Sequence, residues 1–149
     1  MKKTIFLCCI AVLFTASAYS QILEPVTWSY SVKKTSVSTA NVFIKATIDK
    51  GWHLYSQVAR AGGPTPTVFS FRSSKVFDLV GKTIEPKPIT MFEPVFFMEI
   101  GYFENTAIFQ QKVKLKGKNV TVNVKVEYMA CNDKMCLPPT EREFSIRIK

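Results

Sequence analysis

Cys131 and Cys136 stand five positions apart, with Pro138 and Pro139 just beyond them. They are the residues of this sequence best equipped for chemistry. Two thiols this close can meet across a turn, and a disulfide between them can open and close by thiolate attack through a mixed disulfide. The other use of such a bridge is a staple. Its loop would enclose only six residues, worth about 2 kcal/mol of restricted chain entropy, against about 4.7 for a loop of 100 residues. A poor staple is a convenient switch, because opening it disturbs little else. Spacing alone leaves both uses open, since hairpin disulfides that only pin turns also occur. His53, the one histidine, reads either as a base or cation beside a thiolate, or as a packed or surface residue at a strand end. One His and two Cys fall short of the roughly four ligands a zinc site needs, so no metal or other cofactor is expected.

The remaining cysteines, Cys8 and Cys9, belong to a different feature. A short basic start at Lys2 and Lys3 leads into an apolar run over 5–14, then small residues at Ala16, Ser17, Ala18 and Ser20. That is the pattern of a secretory signal peptide, expected to span 1–20 and to be cleaved after Ser20. The run is too short for a membrane span, which takes roughly 20 apolar residues. Residues 21–149 would remain as one exported domain, without membrane insertion of its own and in a compartment where disulfides persist. Losing Lys2 and Lys3 takes the formal charge from +9 to +7.

The elements that must position the cysteines repeat with period two, as half-buried strands do. Val26, Trp28, Tyr30 and Val32 alternate with polar residues, as do Ala40 to Ile48, Val120 to Tyr128 and Phe144 to Ile148. Further strands are expected at 67–71, 76–80, 95–103 and 106–115, and no stretch carries a helical stripe. About eight short strands separated by turn residues predict an all-β fold, an immunoglobulin-like β-sandwich. Lys112, Lys114, Lys116 and Lys118 should line one face of a strand. A nucleic-acid groove would interleave aromatics for stacking, and none are present, so no nucleic-acid partner is expected. The lysines read instead as a solvated face that guards an exposed strand edge.

The residues resemble a known family. Val26 to Ser31, Ile48 to Tyr55 and Cys131 to Pro139 together are similar to the N-terminal periplasmic domain of the thiol:disulfide interchange protein DsbD. The resemblance implies an immunoglobulin-like sandwich working as a thiol:disulfide oxidoreductase. It would relay reducing equivalents in the periplasm, from a membrane electron donor acting in trans to thioredoxin-like proteins. It also implies that Cys136 forms the mixed disulfides and that Cys131 resolves them. Phe96 or Phe97 would cap the sulfurs, and Trp52, His53 and Tyr55 would surround them. The competing expectation is an exported binding module whose hairpin disulfide is inert.

Overall fold

The computed structural model describes residues 23–58, 60–94 and 96–149. The expected signal peptide at 1–20 lies outside the described residues. Eleven strands and no helix occur among the described residues: β1 (Val26–Lys34), β2 (Thr39–Ile48), β3 (Trp52–Tyr55), β4 (Val68–Phe71), β5 (Phe77–Ile84), β6 (Ile89–Glu93), β7 (Met98–Phe103), β8 (Thr106–Leu115), β9 (Val120–Tyr128), β10 (Ala130–Asn132) and β11 (Thr140–Ile148). They pair antiparallel into three sheets, ordered β1-β2-β8-β5, β11-β9-β4 and β10-β3-β7-β6.

Alternation explains the sandwich. Every second residue of β9, from Val120 to Tyr128, is buried, and so are Phe109, Gln111, Val113 and Leu115 of β8. Val113 and Leu115 of β8 and Val120, Val122 and Val124 of β9 meet with Ala40, Val42, Ile44, Ile146 and Ile148 in one apolar cluster between the sheets β1-β2-β8-β5 and β11-β9-β4. The result is an immunoglobulin-like β-sandwich. A second cluster, around Leu54, Phe103, Phe109, Val126 and Ala130, ties the sandwich to the small sheet β10-β3-β7-β6. Trp28 sits between the two clusters, in ring contact with Phe69, Phe109 and Tyr128.

The structure alters two expectations. Expected strand 76–80 runs on to Ile84 through an irregularity between Val80 and Ile84. Gly81 supplies the left-handed backbone there, with φ of 70°. The buried amide of Gln111 braces the bend by donating to the carbonyls of Val80 and Gly81. The lysine row also differs. β8 ends at Leu115, so only Lys112 and Lys114 lie on its exposed face, while Lys116 lies past its end and pairs with Asp78 at 2.6 Å. β8 lies between β2 and β5, so these lysines guard no sheet edge.

Candidate active site

Strand β9 leaves the sandwich at Met129 and continues directly as β10 of the small sheet. This places Cys131 next to β3, with Ala130 opposite Leu54, Cys131 opposite His53 and Asn132 opposite Trp52. The chain then reverses. Leu137 N–H donates to the Ala130 carbonyl and Asn132 N–H to the Met135 carbonyl, both at 2.9 Å. Within the turn, Asn132 Oδ1 accepts from the backbone N–H groups of Lys134 and Met135, each at 2.9 Å, a local side-chain bond of the kind that makes Asn a turn residue. Cys131 and Cys136 are thereby set opposite each other and joined by a disulfide, their Cα atoms 4.0 Å apart.

The two sulfurs have unequal surroundings. Cys131 is 1% exposed and packs in a cluster with Tyr55 and Ile100, whereas Cys136 is exposed. Directly opposed residues of paired strands project to the same face. The register therefore puts Cys131, His53, Tyr55, Ile100, Tyr102 and Met91 on one side of the small sheet. Several of these line a groove of about 730 Å³ that also contains both cysteines, Phe96 and the 132–135 turn.

His53 lies at the centre of this face. Its Nε2 is 3.2 Å from the Tyr55 hydroxyl, and its ring stacks edge-on against Tyr55 and Tyr102. Partial burial pulls its pKa below the usual 6.5, against the opposing pull of the Glu93, Glu104 and Asp133 carboxylates. The same burial, assisted by Glu93, pushes the Tyr55 hydroxyl up to about 12. Tyr102 is raised by desolvation and then by Glu104 and Glu93. Near neutral pH the groove thus holds a neutral imidazole and two neutral phenols. Among the described residues no group of three or more His, Cys, Asp or Glu is placed to hold a metal.

Comparison with known proteins adds a family. A family model described as the N-terminal part of the thiol:disulfide interchange protein DsbD matches residues 20–148. The chain belongs to the DsbD N-terminal domain family. A comparison with curated protein sequences finds no match. Among solved structures, the reduced DsbD N-terminal domain of Neisseria meningitidis aligns with 85% of this chain and 90% of its own, at TM-score 0.55 and 18% identity. The N-terminal periplasmic domain of ScsB from Proteus mirabilis aligns at TM-score 0.61 and 13% identity, covering 83% of this chain and 47% of that one. A complex of the DsbD and PilB N-terminal domains from Neisseria meningitidis aligns at TM-score 0.51 and 16% identity, over 84% of this chain and 87% of that chain.

In this DsbD-type domain the residues singled out from sequence are distributed as follows. Cys131, Cys136, His53, Tyr55 and Phe96 share the groove. Trp52 is on the opposite side of β3, packed with Leu54 against the core cluster, as alternation along a strand requires. Phe96 packs against the cluster of Tyr55, Ile100 and Cys131, its ring 6.5 Å from that of Tyr55 and edge-on to it. Phe97 is not among the groove's lining residues and is 84% exposed. Sequence reasoning missed Tyr102, Glu104 and Asn132. Only pairing of β7 with β3 brings Tyr102 to the groove; Asn132, following a cysteine at a turn, carried a local signal.

Two expected outcomes belong to this geometry. Because backbone bonds and Asn132 already hold the hairpin, reducing the disulfide should lower unfolding stability by about 2 kcal/mol or less. Urea unfolding with and without a phosphine reductant measures this, and a loss near 5 kcal/mol would reveal a staple. The second outcome concerns pH. A histidine whose folded pKa is depressed binds its proton more readily in the unfolded chain. Its contribution to stability is complete above the unfolded value near 6.5 and is lost as pH falls towards the lower folded value. Thermal midpoints should therefore fall between pH 7.5 and 5.5 more steeply in the parent chain than in His53→Gln. Parallel pH profiles would show that the imidazole does not resist protonation.

Proposed function

We propose that this domain relays reducing equivalents in the periplasm by thiol–disulfide exchange, with Cys136 as the exchanging sulfur and Cys131 as its resolving partner. The observation that carries the reading is the asymmetry of the bridge: Cys131 is 1% exposed and Cys136 is open to solvent. A donor thiolate reaches Sγ of Cys136 when the proposed Phe96 cap opens. Its attack forms a donor–Cys136 disulfide and releases Cys131 as a thiolate beside His53. A second donor thiol completes the reduction, leaving both cysteines as thiols and the donor oxidised. In the onward direction the Cys136 thiolate attacks an acceptor disulfide, and Cys131 then displaces the acceptor and closes the bridge. Two electrons and two protons pass in each cycle.

Thioredoxin-like proteins are the proposed acceptors, and a membrane protein acting in trans is the proposed donor. The complex of a DsbD N-terminal domain with a PilB N-terminal domain supports a protein partner at this fold. Periplasmic residence after removal of 1–20 is part of the same proposal, supported by the ScsB domain described as periplasmic. Phe96 is proposed as the cap over the sulfurs, with His53 and Tyr55 as the surround. A redox titration against glutathione tests the reading. An exchanging pair should equilibrate with the buffer, whereas structural disulfides typically have potentials below about −300 mV and resist it. A bridge that stays closed in millimolar glutathione and with thioredoxin-fold donors would leave only a scaffold.

A further inference from the structure

The chemistry of the occupant is written in the charge around the sulfurs. Lys2 and Lys3 aside, eighteen Lys and Arg stand against eleven Asp and Glu, so the domain as a whole is basic. The groove reverses that sign. Among the described residues its charged lining consists of Glu93, Glu104 and Asp133, with Lys134 as a cation. All three carboxylates act on His53 in the same direction, so their fields add where the disulfide sits. Clefts lined mainly by one sign of charge focus that field and attract ligands of the other sign.

Apolar side chains flank the same opening. Met91 is 42% exposed and Met135 50%. Apolar anchors with a charged rim are the anatomy of a transient protein interface.

We propose that the groove receives a protein face on which basic side chains ring an apolar patch around a reactive cysteine, docking against Glu104, Asp133 and Glu93. This identification of the occupant rests on Cys136 being the exchanging sulfur. The carboxylates steer the encounter, while Met91 and Met135 provide the apolar contact. A cysteine protein with an acidic rim is rejected.

Two measurements test this separately from the relay. In Cys131→Ser, the Cys136 thiolate attacks a methanethiosulfonate, forming a mixed disulfide and releasing methanesulfinate. The cationic trimethylammonioethyl reagent should outpace the anionic sulfonatoethyl reagent by about threefold to tenfold more than it does with a free thiol at low salt. The excess should shrink with added salt and in the pair Glu104→Gln and Asp133→Asn. Equal preference at Cys136 and at a free thiol would overturn the proposal. In the parent chain, a short Cys–Phe peptide flanked by lysines should reduce the disulfide about tenfold faster than its glutamate-flanked counterpart. Equal rates would sink the steering claim alone and leave the relay standing. Failure of both peptides to exchange, with the cation preference intact at Cys136, would instead remove the relay, and the proposed occupant with it.

Discussion

A Cys131→Ser chain expressed in a cell envelope should accumulate as mixed disulfides through Cys136, with thioredoxin-like proteins as the trapped partners. The Cys136→Ser chain should yield at least about tenfold less. The difference follows from burial. The exposed Cys136 meets an incoming disulfide once a docking protein displaces the Phe96 ring, whereas Cys131, 1% exposed and packed with Tyr55 and Ile100, can react only when the cluster itself opens. Without the resolving thiol, the adduct at Cys136 has no intramolecular route to collapse, so it persists. Serine at 131 places a hydroxyl in an apolar cluster, at a cost of about 1–3 kcal/mol if it finds no partner. A Cys131→Ala chain controls for that loss and should trap the same partners. Equal trapping by the two single-cysteine chains would show that burial does not set their roles. Absence of adducts from either would favour the inert module.

How much of this was readable beforehand depends on which sheet is considered. β2, β8, β9 and the end of β11 alternate strictly between buried and exposed residues, and their pattern announced the sandwich. The small sheet carrying the site did not announce itself. β3 has only four residues, with Leu54 and Tyr55 both buried on opposite faces, so it shows no alternation. β6 is a sheet-edge strand whose Ile89, Thr90, Met91 and Phe92 are all exposed, so water sees both faces and no period develops. β10 is three residues long. The cysteine pair was legible because five-residue spacing is a local property. The groove was not, because Tyr102, Glu104 and Met91 reach His53 only through strand pairing. Likewise, that Phe96 packs on the Cys131 cluster while Phe97 is exposed is a matter of local backbone, which composition does not encode.

Replacing Phe96 should speed reaction of small reagents with the sulfurs by about tenfold, while Phe97→Ala changes it less than about twofold. The Phe96 ring packs on the cluster that contains Cys131 and meets Tyr55 edge-on at 6.5 Å. An edge-on aromatic pair is worth about 0.5–1.5 kcal/mol beyond the area it buries. A cap held shut by about 1.4 kcal/mol is open roughly a tenth of the time, so removing the ring exposes the sulfurs about ten times as often. Phe97 is 84% exposed and covers neither sulfur cluster nor core, so its loss leaves that equilibrium alone. Stopped-flow reduction by dithiothreitol, and alkylation of the reduced form, measure the change directly. Phe96→Leu should fall between, because it retains apolar cover without the edge-on ring contact. If Phe96→Ala and Phe97→Ala combined leave both rates at the parent value, the ring is packing and not a cap. The gain should be smaller with a thioredoxin-like protein than with dithiothreitol. A docking protein supplies binding free energy that displaces the ring in the parent chain, whereas a small thiol must wait for the cap to open unaided. That contrast separates a gate from general loosening of the hairpin, which would accelerate both reductants alike.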